Sequence, residues 1–288
     1  MKLTRYRTVP YLRTGRNGHR SAGRNHLGCI TVRHRGGGHA RALIALDWQR
    51  TAESGRVVGF TYDPRRSARL AVVLNPLATG DAHKRPYSHI LAASGRTLFQ
   101  QVRTHNLAKV GTFLSDTAEK LSPPCPGDRV VLGSCEPGDF IHAVEPHPNH
   151  GPRFARAAGA SVQVIAVDSA ASLGLKTGMV TIRLPSGAQR LVPAQSRASL
   201  GVVATLDKQS LLPGKAGRSR WLGRRPTVRG VAINPVDHPH GGNTAGGRPS
   251  VTFRGWPTKG QPTRAPRRQN RFLIPARISN LLGMSRSS

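Results

Sequence analysis

From Ala42 to His105 apolar and polar positions alternate in short runs: ALIALDW (residues 42–48), GRVVGFTYD (55–63), ARLAVVLN (68–75), SHILAAS (88–94) and TLFQQV (97–102). TAES, PRRS, PLATGD and SGR interrupt them. Short β-prone runs, turn residues about every 8–12 positions and no sustained helical period predict strands closing into a small barrel. Strands carrying Tyr62, Arg65, Arg66 and Arg69 suit an OB-like barrel, an architecture that often binds nucleic acid. The plainer reading of the same cations is a barrel with solvated loops. SPPCPGD, Ser122 to Asp128, then reads as a linker or sharp corner.

Beyond the corner the alternation resumes in DRVVLGS (128–134), GDFIHAVEP (138–146), GASVQVIAVD (159–168), MVTIRLP (179–185), AQRLVPA (188–194) and ASLGVVAT (198–205). Leu184 to Gly187 is the expected hairpin turn, and the whole is a second small β-barrel. Between its early strands runs a loop with His147, His150, Arg153 and Arg156 and no carboxylate. After about Asp207 the strand pattern fades. The expected division is a basic arm over 1–24, an OB-like barrel over 25–121, a second barrel over 122–207 and a basic extension over 208–288. The fold class is mainly β.

The stretch from Gly230 to Arg264 has almost no apolar run to bury, recurrent Gly and Pro, several cations and one acid, Asp237. A segment with so little to hide cannot offset its own ordering entropy, so an outside partner must order it. Glycines permit close backbone approach and prolines fix φ, which describes an irregular but defined path along a polyanion. The tail after Arg264 reads as basic with a short apolar patch, a turn or two of helix.

Charge sharpens the choice of partner. The net charge of +31 and a pI near 11.9 exceed what solubility needs and point to nucleic acid. Met1 to Leu46 holds ten Lys/Arg and no acid, and Lys208 to Ser288 holds sixteen and one, so two cationic ends flank an ordinary centre. No apolar run reaches the roughly 18–20 residues of a membrane span, and no long amphipathic basic helix is apparent, so no membrane partner is expected. Cys29, Cys125 and Cys135 form no C-x-x-C pair and read as small semi-buried residues. The first 24 residues lack a secretory apolar region. Their Arg-rich, acid-free composition fits both a mitochondrial presequence and an RNA-binding arm, and Pro10 with nearby glycines counts against a presequence helix.

Three other chemistries compete with this picture. The glycines of RHRGGGH, Arg33 to His39, have neither P-loop nor dinucleotide-fold spacing. Set among Arg33, His34, Arg35 and His39, Gly36, Gly37 and Gly38 instead suit a backbone approaching RNA phosphates. His238 and His240 form an H-x-H pair, but only Asp237 lies near as a third ligand, so no metal is expected. No nucleophile elbow accompanies His238, and neighbours along an extended chain rarely face each other, so no enzyme and no small-molecule substrate are expected. In LPGKAGRSRWLGRRPTVRG, Lys215, Arg218, Arg220, Arg224, Arg225 and Arg229 surround Trp221, for which base stacking and plain packing are equally compatible.

AGRNHLGCITVRHRGGGHAR, TYDPRRSARLAVVL, RFARAAGASVQVIA, KAGRSRWLGRRPTVRG and GVAINPVDHPHGG together resemble, in order, the family of the second protein of the large ribosomal subunit. The resemblance spans roughly Ser21 to Arg264. It implies an OB-like and an SH3-like barrel on large-subunit rRNA, with basic extensions penetrating the RNA. It also implies contacts with other ribosomal proteins, association with the small subunit, and support of tRNA binding and the peptidyl-transferase region. The implied rRNA contacts comprise the cations and glycines of 33–39, Arg65, Arg66, Arg69, Arg153, Arg156 and the 215–229 cluster. To these it adds Asn234, Asp237, His238, His240, Gly241, Gly242, Arg248, Lys259 and Arg264. His238 matches the histidine that the family treats as critical for peptidyl transfer. No cofactor is implied beyond Mg2+ as an rRNA counterion. The chain departs from the family text at NTAGGRPS, where an acid is lost, and in a shorter N-terminal extension. GGRPSV and PTKGQPTR resemble mitochondrial members, so an organelle-encoded mitochondrial ribosomal protein is expected. The rival class is a free nucleic-acid-binding protein of chaperone or nucleoid type.

Overall fold

The structure is a computed structural model that describes residues 21–50, 54–75, 87–104, 124–168, 178–242, 248–259, 265, 270 and 272–274, and the backbone of 13–16. They form two compact units, one built from segments 1–17, 41–211 and 271–288, the other from 18–40 and 212–270.

The first unit is mainly β. Its leading strands β1 (Arg13–Arg16) and β2 (Ala42–Ile44) pair with each other. β3 (Ser54–Tyr62), β4 (Arg69–Leu74), β5 (Tyr87–Leu91) and β6 (Gln101–Arg103) form an antiparallel sheet in the order β5-β4-β3-β6. Alternation does here what the pattern predicts: Gly55, Val57 and Gly59 of β3 turn inward. Val57 then packs with Ala71, Val73, Ile90, Ala92 and Val102. Gly55 is needed for this approach, because a Cβ there would lie 2.3 Å from Val73 Cγ1. The run expected to be extended over 42–48 stops at Ile44. Asp47 accepts a hydrogen bond from the Arg50 N–H at 2.8 Å and turns the chain instead.

The second barrel contains β7 (Arg129–Val131), β8 (Phe140–His142), β9 (Val162–Asp168), β10 (Met179–Arg183), β11 (Gln189–Pro193) and β12 (Arg197–Leu200). The expected hairpin at Leu184–Gly187 is present, closed by Gly187 N–H to Leu184 O at 2.8 Å with Gly187 at φ +82°. The sheet runs β11-β10-β9-β8-β12-β7, and β13 (Leu273–Ile274) is added at the β11 edge. The tail's apolar patch is thus strand where a helical turn was expected, because an open edge offers backbone partners that an isolated turn lacks. Leu132, Ile141, Val144, Val162, Val164, Val180, Ile182 and Val192 fill the core. These are the OB-like and SH3-like barrels. Among the described residues no helix is long and apolar enough to cross a membrane.

The barrels meet over Ile44, Ala68, Leu70, Leu91 and Val203 and over a buried ionic seam. Arg96 donates to the Asp128 carboxylate and to the carbonyls of Pro126 and Gln101. Asp128 also accepts the N–H groups of Arg103 and Cys125, at 3.1 and 2.9 Å. Arg50 donates to Gly127 O at 2.7 Å; burial lowers its pKa to about 10, so it stays charged at neutral pH. Arg129 pairs with Glu145 at 2.6 Å, and burial is the main cause that lowers its pKa.

One buried group makes the fold acid-sensitive. His142 contacts Gly201 O through Nδ1 at 2.9 Å, which assigns that nitrogen as the donor, and its buried Nε2 has no partner. Burial lowers its pKa from 6.5 to about 4. The unfolded chain therefore binds more protons than the folded one in that window, and stability falls as the pH drops through it, in total by about 3 kcal/mol. His89, also lowered by burial, acts in the same direction. His142→Asn, which keeps a donor for Gly201, should flatten the loss between pH 6.5 and 4 in urea titrations followed by circular dichroism. An equally steep loss in both proteins would assign it to other groups.

Candidate RNA interface

The second unit has no apolar interior: none of the buried hydrophobic residues among the described residues lies in 18–40 or 212–270. Leu212, Val236 and Trp256 are 82, 90 and 70% exposed. Backbone pairing and cation–π contacts hold it instead. The glycine-rich segment runs antiparallel to the chain that follows α1 (Ala216–Trp221), a short helix absent from the sequence-based expectation. His39 N–H donates to Trp221 O at 3.0 Å, Gly36 N–H to Gly223 O at 2.8 Å and Arg225 N–H to His34 O at 2.8 Å. His34 Nδ1 lies 3.1 Å from Pro226 O, which makes it a donor there. Two segments expected to contact RNA are thus brought side by side.

Their cations face outward. Arg33, Arg35, Lys215, Arg218, Arg220, Arg224, Arg225 and Arg229 are all exposed, as are His34, Gly38 and His39, while Gly36 and Gly37 are half-buried. Lys215 Nζ sits 4.4 Å from the Trp221 ring centroid, so this half-exposed indole already has a cation on it and is not core. The Arg33 guanidinium lies 4.0 Å over Phe253, tying the glycine-rich segment to 248–259. The sequence gives no sign of this role for Phe253, which stands between Thr252 and Arg254. Lys259 is exposed; Arg264 and residues 243–247 lie outside the described residues.

The NPVDHPHGG loop is a pair of tight turns around His238. Asp237 N–H and His238 N–H both reach Asn234 O, at 3.0 and 3.3 Å, and Gly241 N–H donates to His238 O at 2.8 Å. Gly241 is required, since a Cβ would lie 2.3 Å from Asn234 O, and Gly242 adopts φ +88°. Arg248 clasps the loop by donating to Pro239 O at 2.6 Å and to Gly241 O at 3.4 Å.

The tautomer of His238 follows from this. The His240 N–H donates to His238 Nδ1 at 3.0 Å, so Nδ1 carries a lone pair and the proton of the neutral ring is on Nε2. The ring therefore presents an N–H donor, suited to a phosphate or ribose oxygen. A carboxylate that oriented His238 as a base would need Nδ1–H, and that position is taken. Gly230 lies beneath the ring: a Cβ there would stand 2.6 Å from Nδ1 and 2.7 Å from Cγ. His240 Nε2 lies 2.9 Å from Pro249 O and 3.2 Å from Val251 N. One neutral nitrogen cannot donate to the first and accept from the second, and the shorter contact assigns donation to Pro249.

On the barrels, the Asp63 carboxylate accepts the Arg65 N–H at 2.8 Å and stands 3.2 Å from Arg66 Nε, without the alignment of a hydrogen bond. Arg65 is exposed, and Arg66 and Arg69 are half-buried. Arg153 and Arg156 are exposed on the 147–159 loop. Cys135 is buried, which raises its thiol pKa to about 12, whereas Cys29 is exposed where a semi-buried residue was expected. Among the described residues no three His, Cys, Asp or Glu stand together as a metal site.

Two family models match, one described as Ribosomal Proteins L2, RNA binding N-terminal domain, over residues 12–102, the other as Ribosomal Proteins L2, C-terminal domain, over residues 125–260. The chain belongs to the ribosomal protein L2 family. Among its relatives, large ribosomal subunit protein uL2m of Reclinomonas americana is 40% identical over 259 residues, covering 88% of this chain and 83% of the relative. Large ribosomal subunit protein uL2 of Shewanella baltica is 40% identical over 263 residues, covering 90% and 85%. The two L2 matches divide between Val102 and Cys125, which separates the OB-like from the SH3-like barrel.

Proposed function

We propose that the chain is a structural constituent of the large ribosomal subunit of mitochondria that binds large-subunit rRNA. Membership of the L2 family and the uL2m relative support this reading. The observation that carries it is the second unit, whose described residues turn their cations and most of their large apolar side chains outward and include no buried hydrophobic side chain. Such a surface is completed by a polyanion that also offers faces for stacking.

In this role the chain contacts other ribosomal proteins, bridges toward the small subunit and supports the architecture around tRNA and the peptidyl-transferase region. It performs no catalysis itself. His238 acts as an organiser, donating its Nε2–H to an rRNA oxygen and fixing a local RNA conformation. RNA specificity comes from shape and from unpaired nucleotides, because the deep groove of A-form RNA admits few side chains. No cofactor takes part, and Mg2+ enters as a counterion of the RNA.

The test is reconstitution with His238→Ala. The variant chain should fold normally, and the large subunits that contain it should form at reduced yield or show reduced peptide-bond formation. Full yield with full activity would reject the organising role. Migration of the native protein as a free species at the top of a sucrose gradient would reject the ribosomal assignment altogether.

A further inference from the structure

One edge of the second barrel is closed by the chain's own tail. The sheet order places β13 beyond β11, and among the described residues β11 has no other strand on that side. At the far edge β7 is covered differently, by a bridge between Arg129 and Thr104, the residue after β6 of the first barrel. We propose that β13 is a removable cap, and that the β11 edge beneath it is a self-association surface for a second copy of this chain, paired antiparallel about a two-fold axis at Leu191. The proposal concerns the free chain and does not depend on rRNA binding.

β11 has what an open edge needs to template another strand. Gln189–Pro193 pairs with β10 residue for residue, with no bulge to bend the edge away. Leu191 N–H donates to Phe272 O at 2.8 Å, so the backbone groups of Gln189, Leu191 and Pro193 face the cap, while those of Arg190 and Val192 face β10. Charge does little to protect this edge. Gln189 is buried and Leu191 half-buried, and the Arg190 guanidinium lies 5.0 Å over the Phe154 ring, committed to the barrel's own surface.

Two copies of this edge complement each other. With Leu191 opposite Leu191, each donates its N–H to the other's carbonyl, and Gln189 stands opposite Pro193. Pro193 has no N–H, but its carbonyl accepts the Gln189 N–H, so every outward donor finds an acceptor in this register. The same patch serves both copies, and such a contact closes as a dimer instead of growing into a fibre.

The cap is short enough to be removed. β13 is only Leu273 and Ile274, supported by the Phe272 ring, which meets His147 edge-to-face at 5.7 Å between centroids. Leu273 is exposed, and none of 272–274 belongs to the core of the barrel. So brief a strand prevails because it belongs to the same chain, where tethering gives it an effective concentration on the order of millimolar, well above that of a second copy in dilute solution. Its loss opens the edge without emptying the barrel.

The experiment is sedimentation velocity on the full chain, at low and at high salt, with circular dichroism as the check on folding. The parent chain should run as a monomer. Phe272→Ser combined with Ile274→Pro, which removes the ring and the ladder donor opposite Gln189, should dimerise. Two backbone hydrogen bonds bias each copy toward the closed edge by at least about 5-fold, and both copies must open, so the dimer constant should tighten by at least about 25-fold. Dimerisation should strengthen as salt rises, because the net charge of +31 opposes it, whereas copies bridged by contaminating nucleic acid would part. Adding Leu191→Pro, which removes only a donor facing away from β10, should restore the monomer. A cap variant that stays monomeric at every salt concentration, or a dimer that survives Leu191→Pro, would overturn the proposal. Loss of the barrel spectrum in the cap variant would overturn it too, by making β13 a strand that the fold requires.

Discussion

Replacing Gly230 with alanine is expected to leave the chain folded while reducing peptide-bond formation in reconstituted large subunits by about 10- to 100-fold, an effect attributable to misplacement alone. Gly230 does not adopt a positive φ, so alanine is acceptable to the backbone. The obstacle is local, because the new methyl would stand 2.6 to 2.8 Å from three atoms of the His238 ring. The ring can rotate aside at small cost, but its Nε2–H then leaves the direction set by the His240 N–H. Circular dichroism and urea unfolding should be nearly unchanged, and chemical probing of the rRNA should differ only near the His238 contact. Gly230→Ala combined with His238→Ala should be no worse than His238→Ala alone, since both changes remove the same placement. Full activity of the glycine variant alongside a defective His238→Ala would show that ring position is irrelevant.

Asp128→Ala should destabilise the two-barrel unit by about 3–5 kcal/mol, the usual consequence of leaving a buried charge without its partner. Arg96 and Asp128 are 5 and 3% exposed, so water cannot replace the lost carboxylate. The N–H groups of Arg103 and Cys125 lose their acceptor as well. A domain's whole stability is about 5–15 kcal/mol, so the loss is a large fraction of it. The measurement is the urea midpoint of the full chain, read by circular dichroism with an unchanged m-value. A shift worth less than about 1 kcal/mol would place this pair among solvent-screened surface contacts, contrary to its burial.

Much of the barrel architecture was legible because strand patterning is local. Val57 and Gly59 alternate inward as the text around them implies, and the hairpin at Leu184–Gly187 follows from its own residues. Where a side chain overrides the pattern the reading fails: the strand from Ala42 ends early because Asp47 binds the Arg50 N–H. The tail failed for the opposite reason, since Leu273 and Ile274 take their conformation from the edge of β11, far away in sequence. In the candidate interface, residue types pointed to RNA, but roles did not emerge. Arg248 reads as one more cation, yet it clasps the His238 loop through two carbonyls. Gly230 reads as one more glycine of a segment that follows RNA, yet its missing Cβ makes room for the His238 ring. Trp48 reads as the end of a strand, and only the fold places Arg66 of the same barrel and Arg156 of the other beside it.

The pairing of His34 with Pro226 joins positions 192 residues apart. During synthesis the glycine-rich segment emerges first, and its backbone pairing with the 221–226 stretch must wait for that stretch to follow. At about 5–20 residues per second that wait lasts on the order of 10–40 s. A chain cut short anywhere between the two segments never completes the second unit. Near-complete translation is therefore built into competence for assembly, and a prematurely terminated copy lacks the surface with which to occupy a nascent ribosome.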